Sequence, residues 1–145
     1  MTSPLHIDTV LVNVGRPSGA GEPLNHPIVP ASNFAAGGTH WYSRSDGTDT
    51  VDAFELAMGQ LDGGRSVAFG SGMAAVAAVL DQVPIGGRVV IGPDTYHGVS
   101  TLLSDGVATG RWTVGILQHD DTAAWVVATA EADMVWLESP SNPRL

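Results

Sequence analysis

The residues best suited to chemistry lie in a glycine-bracketed turn, Gly70-Ser-Gly-Met-Ala-Ala75. Four residues of strand character, Ser66 to Phe69, run into this turn, and a small-residue helix opens from it towards Leu80. The first N–H groups of a helix have no partner within it, and the macrodipole adds partial positive charge there, so an anion such as phosphate is a natural guest. Gly70 and Gly72 let backbone approach closely, and Ala74 and Ala75 let the helix lie tightly on a sheet. Three readings stand at this point. The turn is a phosphate cradle, or a dinucleotide fingerprint of the form G-x-G-x-x-A with Asp94 as a ribose-binding acid, or a plain strand-to-helix turn. It is neither a G-x-x-x-x-G-K-[ST] loop nor a G-x-S-x-G elbow.

A second constellation is Tyr42-Ser-Arg44. In extended chain, residues two apart point to the same side. A phenol and a guanidinium fork together suit a phosphate or carboxylate; the plainer reading is an exposed loop with one stray cation. The histidines offer less. His6, His26 and His40 stand at no metal-ligand spacing and read as surface or packing residues, and His119-Asp-Asp121 reads as a helix cap rather than a metal site. No metal is expected. The basic residues are Arg16, Arg44, Arg65, Arg88, Arg111 and Arg144, so the chain has no lysine and cannot form a Schiff base to a lysine amine of its own.

The elements that must position these residues follow from Pro/Gly punctuation and apolar periodicity. Residues 1 to about 40 carry Pro and Gly too densely for regular structure and read as an extended arm that packs on something else, another subunit being the usual case. A helix follows, with Val51, Phe54, Met58 and Leu61 at core spacing, Asp49 or Thr50 as cap and Asp62-Gly-Gly64 as stop. Beyond the glycine turn come a strand at Arg88–Ile91, a helix from Tyr96 to about Thr109 with Val99, Leu102, Leu103 and Val107 on one face, and a strand at Trp112–Leu117. A short helix reaches Ala130, and Met134–Leu137 is a fourth strand. This alternation predicts right-handed βαβ crossovers in an α/β fold, mostly a parallel sheet flanked by helices.

Composition narrows the partners. A net charge of −9 argues against nucleic acid and anionic membrane. No apolar run is long enough to span a bilayer, and the absence of cysteine fits a cytoplasmic chain.

With the closing hexapeptide Glu138-Ser-Pro-Ser-Asn-Pro143 added, the chain resembles the Cys/Met-metabolism family of pyridoxal-phosphate enzymes, which includes cystathionine γ-synthase and cystathionine γ-lyase. His26 to Phe34 looks like the family's arm motif, Tyr42-Ser-Arg44 like its Y-x-R, and Ser71 to Ala75 like its S-G-M-A-A. Asp94-Thr-Tyr-His-Gly98 looks like its D-x-Y-x-G, and Glu138 to Pro143 like its E-[ST]-P-[ST]-N-P. The resemblance implies the first part of the large domain of a fold-type I enzyme, with residues 1–47 as arm and interface loop and 48–145 as the N-terminal portion of the cofactor-binding domain. It implies γ-elimination or γ-replacement on cystathionine or an activated homoserine. The competing readings are a non-catalytic cofactor-cup or regulatory module and a dinucleotide-binding domain.

Roles carried over by the same resemblance are specific. Ser71 and the N–H groups of Gly72 and Met73 hold the cofactor phosphate, and Tyr96 stacks on the pyridine ring and serves proton traffic. Asn142 binds near the phenolic oxygen and substrate carboxylate, while Glu138 and Pro143 shape that turn. Tyr42 and Arg44 reach a neighbouring subunit's phosphate in a homo-oligomer, a dimer of dimers. The family commonly has N-P-T where Gly47-Thr-Asp49 stands here. Its lysine, its pyridine-pairing aspartate and its carboxylate-binding arginine match nothing in these residues. The remainder of the enzyme is therefore expected on another chain or segment, and this chain alone is expected to be inactive.

Overall fold

The computed structural model describes residues 6–141. The chain divides between Ala68 and Phe69 into two compact units.

The first unit holds α1 (Ile7–Asn13), the single turn α2 (Ser43–Asp46) and α3 (Asp49–Asp62). The arm thus has a helix of its own, contrary to the reading from Pro and Gly density. His6 caps it: its Nδ1 accepts the Asp8 N–H at 3.4 Å. Thr50 fixes the following segment to α3, accepting the Val29 N–H at 2.8 Å and donating to the Pro27 carbonyl at 3.1 Å. The α3 cap is Thr48, not Asp49 or Thr50, and its hydroxyl accepts the Val51 N–H. Gly63, in left-handed conformation at φ 71°, ends the helix as expected. Val51 and Phe54 are not core: both are exposed, Phe54 to 56%. Helical spacing reports a shared face, and among the described residues little is packed on this one.

Ser66–Phe69 is not a strand. The Ala68 N–H and the Ser66 hydroxyl are taken by the side chain and carbonyl of Glu55 on α3, at 2.7 Å each, so the segment is tied to a helix instead of a sheet.

The second unit contains α4 (Gly72–Leu80), β1 (Gly87–Ile91), α5 (His97–Ala108), β2 (Trp112–Ile116), α6 (Thr122–Glu131) and β3 (Met134–Trp136). The strands form a parallel sheet in the order β2-β1-β3, the α/β arrangement the alternating pattern predicts. In register, Ile91 lies opposite Ile116 on one side and Trp136 on the other. Val89, Val90 and Ile91 are buried because the central strand is covered on both faces. Leu80 from α4, Val99 and Leu103 from α5, and Trp112 from β2 pack with Val89 and Ile91 in the main cluster. Val107, placed on the inner face of α5 by its spacing, is 45% exposed.

Trp112 locks α5 to the sheet. Its indole N–H donates to the Leu103 carbonyl at 2.9 Å, and its ring lies against Gly106, where an added Cβ would stand 2.1 Å from Cε2. Gly106→Ala must therefore push a buried indole out of place, at a cost of about 1–3 kcal/mol by the usual scale of overpacking. A urea midpoint unchanged from wild type would show that the ring is not confined there.

Candidate functional site

In the second unit the glycine turn has the form its sequence suggests for an anion cradle. Ser71 is the N-cap of α4, extended at φ −161°, and its hydroxyl accepts the Ala74 N–H at 3.1 Å. Its carbonyl accepts the Ala75 N–H at 3.2 Å. The N–H groups of Gly72 and Met73 are left with no acceptor among the described residues. Neither Gly70 nor Gly72 has an atom within 4 Å of where a Cβ would lie, so the approach to these donors is open.

Tyr96 stands beside this turn. Ser71, Gly72, Met73, Val76 and Tyr96 line one cavity of about 540 Å³. Tyr96 is the N-cap residue of α5, and its ring is half exposed. Gly98 sets the side-chain arrangement: a Cβ there would stand 2.8 Å from both Met73 Sδ and Tyr96 Cε1. From the loop after β3, Glu138 reaches back. Its Oε2 accepts the Tyr96 backbone N–H at 2.9 Å, and its Oε1 accepts the Trp136 indole N–H at 2.9 Å. The Ser139–Pro140 peptide bond that follows is cis.

The family model described as "Cys/Met metabolism PLP-dependent enzyme" matches residues 8–145. The chain belongs to the Cys/Met-metabolism family of pyridoxal-phosphate-dependent enzymes. It is 36% identical over 152 residues to cystathionine β-lyase of Coxiella burnetii, covering 97% of this chain and 38% of that one. To the chloroplastic cystathionine β-lyase of Mimosa pudica it is 35% identical over 146 residues, covering 96% of this chain and 32% of the relative. Among solved structures, cystathionine gamma synthase from Xanthomonas oryzae pv. oryzae superposes with a TM-score of 0.84 at 29% identity, covering 97% of this chain and 38% of that one. The chain spans about a third of the length of the curated relatives it matches. The large-domain fold of type I enzymes, expected from the resemblance, is the fold found.

For a Cys/Met-metabolism enzyme the cofactor is pyridoxal 5′-phosphate, and the donor set here fits such a group. Two unpaired backbone N–H groups at a helix N-terminus suit a phosphate, and a half-exposed aromatic ring on the same cavity suits a flat heterocycle. Of the residues singled out in the sequence, Ser71, Gly72, Met73 and Tyr96 come together. Asn142 and Pro143 lie outside the described residues.

Tyr42 and Arg44 belong to the first unit and do not form an extended pair. Tyr42 is extended, but Ser43 opens the one-turn helix, so the two side chains do not alternate as strand neighbours would. Asp46 closes this turn by accepting the N–H groups of Trp41 and Tyr42 at 2.8 and 2.9 Å. Arg44 is exposed and has no carboxylate partner among the described residues. The same unit holds a cluster that sequence spacing does not reveal: His40 Nε2 lies 3.2 Å from Asp52 and Nδ1 lies 3.9 Å from Asp49. Ligand atoms of the three lie within 4.8 Å of one another, with His40 also against the Phe34 ring at 5.3 Å.

Two outcomes are expected. Gly98→Ala should displace the Met73 methyl and Tyr96 ring resonances with little change in melting midpoint, since both atoms crowding the new Cβ are at the ends of side chains that can move. Identical spectra would refute the close approach. Second, the N–H bonds from Tyr42 and Trp41, with the Ser45 side chain adding to them, hold the Asp46 carboxyl below its ordinary value. A depressed folded-state value means the bonds contribute above the unfolded value, about 3.9, and are lost as pH falls through the lower one. Acid titration of the Trp41 and Tyr42 amide resonances should move only below pH ~4 in wild type, by that same reference value, and should show no such step in Asp46→Asn.

Proposed function

We propose that this chain is the N-terminal portion of a pyridoxal-phosphate enzyme of transsulfuration, acting by γ-elimination or γ-replacement on cystathionine or an activated homoserine. The observation that carries the reading is the pair of unpaired N–H groups of Gly72 and Met73 opening onto the cavity that Tyr96 lines. A second reading, β-elimination on cystathionine, draws on the names of two relatives at 35% and 36% identity, both cystathionine β-lyases.

Each residue has a part in this reading. Gly72 and Met73 donate to the cofactor phosphate, aided by the α4 dipole, while Ser71 holds the turn by capping Ala74. Tyr96 would stack on the pyridine ring and keep water from that face, and its phenol would carry a proton at the substrate amine. Asn142, outside the described residues, would by the family resemblance bind near the phenolic oxygen and the substrate carboxylate. Tyr42 and Arg44 serve the phosphate of a neighbouring subunit in a homo-oligomer, the guanidinium supplying a charge that the described arginines of residues 69–141, Arg88 and Arg111, spend on carboxylates. When bound, the cofactor supplies an electron sink for a carbanion at the substrate α-carbon. An amine to anchor it must come from a companion chain or segment, since this chain has no lysine; alone it is inactive.

Adding pyridoxal 5′-phosphate to the chain with its companion should shift the Gly72 and Met73 amide resonances first. Arg44→Ala should weaken retention of the cofactor by roughly 1.5–3 kcal/mol, the scale of a hydrogen bond to a charged group. Binding that leaves both amides unmoved would sink the phosphate assignment, and an unaltered dissociation constant in Arg44→Ala would sink the cross-subunit role.

A further inference from the structure

We propose that Glu138 is a positioning residue for Tyr96, an inference that rests on the reading of Tyr96 as the ring that faces the cofactor. Helix α5 begins without a side-chain cap of its own, because its N-cap position is Tyr96. The capping acceptor comes instead from 42 residues further on, where Glu138 Oε2 takes the Tyr96 N–H at 2.9 Å. A carboxylate at a helix N-terminus is also favoured by the macrodipole. The other oxygen, Oε1, takes the Trp136 indole N–H at 2.9 Å, and Trp136 packs against the main core cluster. Glu138 is thus a two-ended clamp: one end is anchored in the core, the other holds the backbone of Tyr96.

The chemistry of the clamp requires a carboxylate. Its two arms each meet a donor, and a carboxylate is acceptor on both. Glutamine has the same shape but turns one arm into a donor, which faces an N–H. The Tyr96 hydroxyl has no partner among the described residues, so what fixes the ring is its backbone and the crowding at Gly98. Releasing the backbone frees the ring.

The test is a double-mutant cycle on the full chain together with the polypeptide that accompanies it. Glu138→Gln and Glu138→Ala are made alone and on a Tyr96→Ala background. Three quantities are read: hydrogen exchange of the Tyr96 amide and the Trp136 indole, the circular dichroism of the bound pyridoxal 5′-phosphate band, and its dissociation constant. Glu138→Ala should speed exchange at both groups, and Glu138→Gln at one of them, by about tenfold or more given the strength of hydrogen bonds to carboxylate. With Tyr96 present, both variants should alter the dichroic band and weaken binding; with Tyr96→Ala they should add nothing further. Additive losses in the cycle, unchanged exchange at Tyr96 in Glu138→Ala, or unchanged exchange at both groups in Glu138→Gln, would overturn the proposal and leave Glu138 a purely structural residue. If Glu138→Ala does not fold, the isosteric Glu138→Gln makes the same comparison. Failure of the wild-type protein to bind the cofactor at all would overturn the functional reading, and this inference with it. Binding without coupling would overturn this inference alone.

Discussion

The parallel pairing of β1 with β3 is the constraint from which the site in residues 69–141 follows. Because the strands run the same way and Ile91 lies opposite Trp136, the chain leaves both strands at the same edge of the sheet. From β1 it goes through Gly92 to Tyr96 and into α5; from β3 it goes at once to Glu138. Two segments far apart in sequence are thereby delivered to one place, and the carboxylate of one reaches the backbone of the other. Open α/β sheets bind ligands outside the carboxyl ends of their strands for this topological reason. The buried Val89–Ile91 run holds the strand in the sheet, since an apolar strand covered on both faces would expose all of that surface on leaving it.

What lies at that edge is then decided by which backbone groups remain unpaired. In α4 the Ser71 hydroxyl and carbonyl satisfy Ala74 and Ala75, leaving the two donors nearest the turn. In α5 the opposite occurs: the N-terminal donor of Tyr96 is satisfied by a carboxylate, so that helix start repels a second anion. One helix start presents its first donors to the cavity, while at the other a protein carboxylate already sits on the N-cap N–H. The difference gives the cavity a polarity, with open N–H donors at Gly72 and Met73 and an aromatic surface at Tyr96.

The second unit was largely legible because its signals are local. Alternating strand and helix lengths, Asp121 as a cap and the buried run at Val89–Ile91 all act within a few residues. Reading failed where the decisive partner is distant or of another kind. Ser66–Phe69 has strand composition, but Glu55 of α3 satisfies its polar groups, and composition does not report which partner a backbone finds. Tyr42-Ser-Arg44 has the alternation of an extended pair, yet Asp46 gathers two N–H groups and curls the chain. The clamp by Glu138 was visible only as part of a turn motif, since nothing in sequence joins it to a residue 42 positions away. His40 with Asp49 and Asp52 is similar: spacings of nine and twelve show nothing until the intervening turn folds back.

Charge placement limits what residues 69–141 can offer an anion. Both described arginines there are already engaged. Arg88 pairs with Glu131 at 3.2 Å, and Arg111 pairs with Asp81 while lying over the Trp112 ring at 4.6 Å. Neither can turn to a phosphate without breaking a contact that ties a strand to a helix. Guanidinium groups without a carboxylate partner among the described residues are those of Arg16, Arg44 and Arg65, all in the first unit. On a chain of net charge −9, an anion held by two neutral N–H groups and a helix dipole gains only a fraction of a full charge from them. A phosphate carrying nearly two negative charges favours a further cation, and in the proposed reading that cation is the Arg44 guanidinium of a neighbouring subunit, a fork that can meet two phosphate oxygens at once.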